Sequence, residues 1–176
     1  MNADDDSATF RLMADVRVRS AVRDDLQKLE WYGQYTHYRN IIGRAYQEQK
    51  RGHRLLLVAD FGGFPIGQLF VQYAAQNRRI ADGATRAYLY AFRVFELFRG
   101  RGVGTYLLGC AEAILQDRGF RWATIAVARD NEGAFRLYRR LGYRIVAEDS
   151  GHWHYIDHQG ITRHVHEPSW VMEKKL

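Results

Sequence analysis

"FELFRGRGVGTYLLGCAEAILQDRG", residues 95–119, is the stretch that decides the fold of this chain. Glycines alternate with arginines at its start: Arg99, Gly100, Arg101, Gly102 and Gly104. Apolar residues then recur at helical spacing, which predicts a helix that opens at Val103 and ends at Gly119. The predicted buried face consists of Val103, Tyr106, Leu107, Cys110, Ala111, Ile114 and Leu115. Because a helix N-terminus presents unpaired N–H groups and a positive dipole end, this glycine-lined start favours a bound phosphate.

The composition is that of a globular chain. It has 176 residues, of which 47% are hydrophobic and two are prolines, so we expect one domain over residues 11–176 after a disordered acidic tail at residues 1–10. Only four of the 26 basic residues are lysines, and arginine suits phosphate contacts. The single cysteine, Cys110, excludes a disulfide framework. With no apolar run of about 18 residues and no signal peptide, a cytoplasmic protein without a membrane partner is expected.

The predicted elements alternate between strands and helices. An early strand at residues 15–22 and a helix that begins at Tyr35 precede a hairpin with strands near 54–60 and 66–73. A strand over residues 87–95, the helix at Val103, an apolar strand over 121–128 and a helix over 130–142 follow. That last helix is capped by Asp130 or Asn131. The chain is therefore predicted to be α/β, with a strand–helix–strand–helix unit at its centre.

The spacing of the glycines distinguishes between the known classes of phosphate-binding loop. A dinucleotide fingerprint fails because Thr105 stands three residues after Gly102, and a Walker loop fails because no lysine follows Gly104. The run from Arg99 to Gly104 instead resembles the acyl-CoA loop, R-x-x-G-x-G, of the GNAT superfamily of N-acetyltransferases. The run "NEGAFRLYRRLGY", residues 131–143, is similar to a second motif of that family, and "EPSWVMEKKL" is similar to its closing strand.

The resemblance covers about residues 11–176 and implies a fold and a set of contacts. It implies a mixed, mostly antiparallel sheet of about seven strands flanked by about four helices, with acetyl-CoA as the acyl donor and no metal. The implied CoA-binding residues are Phe92, Arg93 and Val94 on the strand, Arg99, Gly100, Arg101, Gly102, Val103, Gly104 and Thr105 in the loop, and Asn131 beyond the next strand. The loop backbone would hold the pyrophosphate, and the strand backbone and Asn131 would hold the pantetheine arm.

The resemblance also implies that Tyr138 protonates the leaving thiolate. The alternative is that Tyr138 is a core aromatic residue one turn from Ala134. The acceptor side holds the aromatic cluster Trp31, Tyr32, Tyr35, His37 and Tyr38. The cluster is equally compatible with binding an apolar or cationic amine and with packing of helices on the sheet.

The resemblance gives no dedicated carboxylate base. Tyr88 and Ala126 stand at the two positions where some branches of the family carry a glutamate. Glu96 is the carboxylate nearest in sequence to the predicted CoA-binding strand. Glu96 is equally compatible with a solvated loop residue, and Tyr88 could act only through a relayed water. We therefore predict that the amine loses its proton through ordered water to bulk solvent.

Three functions compete at this point. Acetyl transfer from acetyl-CoA to a primary amine is favoured, and the polyamine, antibiotic, amino-acid and protein N-terminus classes of acceptor remain open. A non-catalytic CoA-binding sensor or partner domain is the alternative. Nucleic-acid binding is suggested only by the net charge of +6 and lacks a recognition motif.

Five histidines crowd near the C-terminus: His152, His154, His158, His164 and His166. A three-residue loop, His158-Gln159-Gly160 with Gly160 left-handed, would set His154 opposite His164 and His152 opposite His166. Four imidazoles on one face can bind zinc or nickel. A polar hairpin face or a contact in a homodimer is the favoured interpretation, because no cysteine or carboxylate is spaced to complete a metal site.

Overall fold

The computed structural model describes residues 12–176. Residues 12–15 are helical. The elements that follow are β1 (Val16–Ser20), α1 (Asp25–Lys28), a 3-10 turn (Thr36–Tyr38), α2 (Arg39–Lys50), β2 (Arg54–Phe61), β3 (Phe64–Gln72), β4 (Arg86–Val94), a 3-10 turn (Glu96–Phe98), α3 (Val103–Asp117), β5 (Trp122–Ala128), α4 (Glu132–Arg140), β6 (Arg144–Asp149), β7 (His152–Ile156), β8 (Thr162–His166) and β9 (Ser169–Lys175). The acidic tail predicted for residues 1–10 lies outside the described residues.

A seven-stranded sheet organises the chain, in the order β1-β2-β3-β4-β5-β9-β6. Only β4 and β5 pair in parallel, and every other neighbouring pair in this sheet is antiparallel. The predicted mixed, mostly antiparallel sheet of about seven strands flanked by helices is confirmed. Within residues 12–176, no helix is long and apolar enough to cross a membrane.

The two faces of the sheet bury two separate hydrophobic clusters. Along β2, Leu55, Leu57 and Ala59 belong to one cluster, whereas Leu56 and Val58 belong to the other. This is the two-residue period of a strand that is buried on both sides. Helix α3 packs on the first face and α2 on the second. The central strands therefore appear in the sequence as continuous apolar runs.

Helix α3 buries a slightly different face from the predicted one. Its buried residues are Val103, Leu107, Leu108, Ala111 and Leu115. Tyr106 was predicted to be buried but is 41% exposed, and Cys110 is only half-buried. The i, i+4 row from Val103 to Leu115 faces the sheet, and Leu108 flanks it on one side, so Tyr106 and Cys110 fall on the outer edge.

An irregularity in β4 decides which side chains face which cluster. From Gln68 to Phe70, β3 advances two residues while its partner β4 advances three, from Arg93 back to Tyr90. The extra residue is a β-bulge, and Ala91 adopts a φ of 50° within it. The fully buried Gln68 donates from Nε2 to the Ala91 carbonyl oxygen at 2.8 Å. Because one inserted residue reverses the alternation, Phe92 faces the α3 cluster and Arg93 faces the opposite side.

The bulged strand also diverges from its parallel neighbour. Pairing between β4 and β5 runs from Arg86 opposite Trp122 to Leu89 opposite Ile125. Beyond that point β4 pairs with β3 alone, and β5 pairs with β9 alone. Residues 90–94 of β4 and residues 126–128 of β5 are therefore not paired with each other, which leaves an opening between the two strands.

Strands β7 and β8 form a separate two-stranded hairpin. The register sets His152 opposite His166 and His154 opposite His164, as predicted. Gly160 is left-handed, with a φ of 81°, which confirms the three-residue loop. The rings of His152 and His166 stack with centroids 4.1 Å apart. Among residues 12–176, no group of three or more potential ligands is arranged to hold a metal ion.

The cap of α4 gives a prediction about stability. The Asn131 side chain accepts a hydrogen bond from the Ala134 N–H at 3.1 Å. Asn131→Ala should lower the free energy of unfolding by about 1 kcal/mol, because an orphan donor of the first turn loses its partner. Asn131→Asp should stay within a few tenths of a kcal/mol of the parent, since aspartate caps equally well. Urea unfolding monitored by circular dichroism measures both; equal losses in the two variants would contradict the capping role.

Candidate functional site

The site is built around the opening between β4 and β5. Three features meet there: the open edge of β4, the N-terminus of α3 and the side chain of Tyr138 on α4. Each depends on a local feature of the sequence.

The loop before α3 ends in a left-handed glycine. Gly102 is the N-cap of α3 with a φ of 86°, and it makes no side-chain capping bond. The first hydrogen bond of the helix runs from the Tyr106 N–H to the Gly102 carbonyl oxygen. The N–H groups of Val103, Gly104 and Thr105 therefore have no acceptor within the helix. This first turn can accept an anionic group.

Gly104 has a second role that the motif does not reveal. A Cβ at this position would lie 3.0 Å from Phe92 Cζ and 3.6 Å from Val94 Cγ2. The missing side chain thus lets the Phe92 ring pack against the first turn of α3. At Gly100 and Gly102, a Cβ would meet nothing within 4 Å. Gly104 joins the helix to the strand, whereas the other two glycines shape the loop.

The two arginines of the loop differ in their contacts. Arg99 donates from Nε to the Val94 carbonyl oxygen at 2.9 Å. This bond ties the start of the loop to the end of β4 and uses one of the strand groups predicted to bind pantetheine. Arg101, the other arginine of the motif, is half-buried.

Tyr138 lies against the open part of β4. Its side chain is 4% exposed, and its ring centroid is 6.2 Å from that of Phe92 and 5.9 Å from that of Tyr143. Burial, together with the nearby phenol of Tyr88, raises the pKa of Tyr138 well above its usual value. The phenol therefore stays protonated at neutral and mildly alkaline pH. Such a group can donate a proton but cannot act as a base.

Tyr88 stands just before the strands diverge, opposite Thr124 of β5. Burial raises its pKa to about 12, and the carboxylates of Asp149 and Glu167 and the phenol of Tyr90 add to the shift. Tyr88 is thus also protonated at neutral pH. As a possible carboxylate base, the sequence interpretation considered only Glu96, which is exposed in the 3-10 turn after β4. It missed Asp149 and Glu167, which only the fold brings close to Tyr88.

The aromatic cluster predicted on the acceptor side divides into three parts. Trp31 is 2% exposed and donates from Nε1 to the Pro65 carbonyl oxygen, so it belongs to the core. Tyr32 is 86% exposed. Tyr35, His37 and Tyr38 are half-buried. Tyr155 of the hairpin joins them, with its ring centroid 5.1 Å from that of Tyr38.

The structure places a cation of the protein itself on this cluster. The Arg93 guanidinium carbon is 4.3 Å from the ring centroid of Tyr35 and 4.7 Å from that of Tyr38. Sequence reasoning assigned only the backbone of Arg93 to the site. One available signal was that Arg93 is the sole charged residue in the aromatic run "AYLYAFRVF".

Comparison with known proteins agrees with this geometry. Residues 21–143 match the model of the acetyltransferase (GNAT) family. An uncharacterized N-acetyltransferase of Methanocaldococcus jannaschii is 28% identical over 146 residues, which cover 76% of this chain and 63% of that protein. The mycothiol acetyltransferase of Propionibacterium freudenreichii is 29% identical over 98 residues, covering 56% of this chain and 30% of its own length. The chain thus spans less than two thirds of either relative.

Solved structures share the fold at low sequence identity. The PaiA N-acetyltransferase of Thermoplasma acidophilum, in complex with coenzyme A, superposes with a TM-score of 0.67 at 17% identity, covering 92% of this chain and 99% of that one. A ribosomal-protein-alanine N-acetyltransferase from Brucella melitensis gives a TM-score of 0.69 at 17% identity, covering 91% and 99%. The family match extends over both the glycine loop and the motif that contains Tyr138. This chain therefore belongs to the GNAT family of acetyltransferases.

Proposed function

We propose that this protein transfers an acetyl group from acetyl-CoA to a primary amine by direct attack in a ternary complex. The observation that carries the proposal is the opening between β4 and β5, which the first turn of α3 and Tyr138 both border. It offers an extended backbone, an anion-binding helix terminus and a buried proton donor within one cleft.

The donor would bind along the cleft. Its pyrophosphate would accept hydrogen bonds from the backbone of Arg101–Thr105, with Arg99 and Arg101 adding positive charge. Its pantetheine amides would pair with the backbone of Phe92–Val94, in the manner of an added strand. Asn131 would contact the same arm from the far side of the opening. Its capping bond uses the side-chain oxygen, which leaves the NH₂ group to donate.

The chemical step requires one nucleophile and one acid. The neutral amine nitrogen attacks the thioester carbonyl carbon, the new C–N bond forms and the C–S bond breaks. Tyr138 donates its proton to the departing sulfur. It regains a proton from the nitrogen, which loses one as the amide forms. An amine of pKa about 10 must first lose a proton, at a cost of about 4 kcal/mol near neutral pH. We infer that ordered water carries this first proton, which leaves before the attack, to bulk solvent. Tyr88 takes part only through such a water.

CoA binding tests the loop. Gly104→Val should weaken CoA binding at least tenfold, because the new side chain would displace Phe92 and the first turn of α3. Gly109→Ala is the matched control, since Gly109 lies on the same helix and has nothing within 4 Å of a Cβ. It should leave CoA affinity unchanged and stabilise the fold by about 0.5–1 kcal/mol. Isothermal titration with CoA measures both affinities; parental affinity in a folded Gly104→Val variant would refute the assigned loop.

Turnover tests Tyr138. Tyr138→Phe keeps the ring and removes the proton donor, so kcat should fall by roughly 10²–10⁴-fold while CoA affinity is retained. Thiol release from acetyl-CoA, followed over a panel of amines, reports kcat. If no amine supports thiol release although CoA binds, the chain is a CoA-binding domain without catalysis. If Tyr138→Phe turns over at the parental rate, the tyrosine is only part of the core.

The pH profile tests the route of the amine proton. Because the raised pKa of Tyr138 keeps the acid protonated, kcat/KM should rise with pH until the acceptor amine itself titrates. Glu96→Gln and Glu167→Gln should each keep most of the parental kcat and the same pH profile. Loss of turnover in either variant, with CoA binding intact, would identify that carboxylate as the general base.

A further inference from the structure

Arg93 differs from three other half-buried arginines, Arg19, Arg54 and Arg86, in having no carboxylate beside it. Arg19 pairs with Asp25 at 2.6 Å, Arg86 pairs with Glu173 at 2.8 Å, and Arg54 pairs with Glu48. Within residues 12–176, the Arg93 guanidinium makes no salt bridge and no hydrogen bond, and its Nη1 atom is fully buried. A buried cationic donor without an acceptor is costly, so such a group is retained where something else compensates it.

The two tyrosines hold the guanidinium but do not neutralise it. The Arg93 guanidinium carbon and the ring centroids of Tyr35 and Tyr38 form a triangle with sides of 4.3, 4.7 and 6.3 Å. Ring faces attract a cation, yet they accept none of the five N–H donors of arginine in the way a carboxylate does. The stack therefore orients the guanidinium and leaves its hydrogen-bonding capacity unused.

The surroundings of Arg93 add positive charge. Burial lowers the pKa of the neighbouring His37, and the positive charges of Arg93, His158 and Arg163 lower it further, against the smaller opposite effect of Asp157, which itself pairs with Arg163. Burial also lowers the pKa of Arg93, and no carboxylate acts to raise it. The aromatic cluster is thus already occupied by a cation, which disfavours a second cation and favours an anion at this end of the site.

The opposite end of the same face carries negative charge. Tyr88 lies at the mouth of the opening, and the Asp149 carboxylate acts on its phenol, whereas Glu167 acts on both Tyr88 and Tyr38. Arg93 and Tyr88 face the same side of β4, because the bulge at Ala91 restores Arg93 to that side. A molecule with an ammonium group near Tyr88 and a carboxylate near Arg93 would match both charges.

We propose that Arg93 binds a carboxylate of the acceptor, so that the acceptor is an amine that also carries a carboxylate. This inference rests on the proposed acetyl transfer. Arginine matches a carboxylate with two parallel N–H···O bonds, and the tyrosine stack fixes the plane in which these bonds form. A free amino acid and a peptide with an acidic first residue share this chemistry.

Matched acceptors test the preference and separate its two sources. One pair of arms compares free L-amino acids with their carboxamides, and the other compares Asp-Ala-amide with Asn-Ala-amide; kcat/KM is calculated per neutral amine, because a nearby carboxylate raises the pKa of the amine. In at least one pair, kcat/KM should be tenfold or more higher for the member with the carboxylate. A preference among the free amino acids identifies a free amino acid as the acceptor. A preference among the dipeptide amides identifies a peptide with an acidic first residue. Equal or lower kcat/KM for the carboxylate member in both pairs would overturn the proposal.

Variants tie the preference to Arg93. Arg93→Met conserves volume and should lower kcat/KM for the carboxylate member by about 10- to 100-fold, while the amide member changes less than threefold. For Arg93→Lys, kcat/KM for the carboxylate member should lie between those of the parent and of Arg93→Met. Lysine keeps the positive charge but cannot form two parallel hydrogen bonds to a carboxylate. Arg129→Met is the control, because Arg129 also lies over an aromatic ring, Trp170 at 4.2 Å, but pairs with Glu148. Equal losses for both members in Arg93→Met would make Arg93 a structural residue only.

Binding tests the inference separately from turnover. N-acetyl amino acids and their amides, and the two N-acetylated dipeptide amides, are titrated calorimetrically into the CoA complex of the parent and of Arg93→Met. Tighter binding of the carboxylate member to the parent alone supports the proposal even if no amine is acetylated. Absence of that difference contradicts it even if acetyl transfer is established. Unchanged CoA affinity shows that the variant is folded.

Discussion

The inserted residue in β4 is the constraint on which the site depends. Ala91 takes up a left-handed conformation that costs a residue with a Cβ about 1 kcal/mol or more. The buried side chain of Gln68 holds that conformation through its bond to the Ala91 carbonyl oxygen. Without the bulge, strand alternation would put Phe92 beneath the tyrosines and Arg93 in the hydrophobic cluster with α3. One backbone irregularity therefore determines both the packing of Phe92 against α3 and the face of the sheet on which the charge of Arg93 lies.

The same strand supplies the cleft because it leaves its parallel partner. Pairing with β5 ends at Leu89, so the edge of β4 beyond it is open on one side. An open strand edge inside a protein must be covered or must bind something. Here α3 begins directly beside it, with Gly104 allowing Phe92 to close the gap between helix and strand. The arrangement places the edge of β4, the N-terminus of α3 and the Tyr138 phenol around one opening, and the only irregular backbone in that part of β4 is the bulge at Ala91.

The half-buried arginines of this chain have two kinds of partner in the structure, carboxylates and aromatic rings. Arg19, Arg54 and Arg86 each pair with a carboxylate, and the partner of Arg19, Asp25, is buried. Arg93 has no such partner among the described residues and lies on two rings instead. The sequence left open whether the aromatic cluster binds an apolar or cationic amine or packs helices on the sheet, and in the structure Trp31 belongs to the core whereas Tyr35 and Tyr38 contact Arg93. The cation on these rings is part of the chain, and this observation supports the proposed anionic group of the ligand rather than a cationic one.

The sequence by itself determined the features that depend on local rules. The glycine loop, the cap at Asn131 and the hairpin register around Gly160 follow from residues within a few positions of one another. Helical and strand periodicity predicted most of the core, although Tyr106 lies outside the face of α3 that contacts the sheet. Tertiary structure alone decided the bulge at Ala91, because no local residue preference places an alanine there. It also decided the position of Arg93, because the rings that hold the guanidinium lie more than fifty residues earlier in the chain. Pairing between distant segments sets which face each side chain occupies, and local pattern cannot encode that choice.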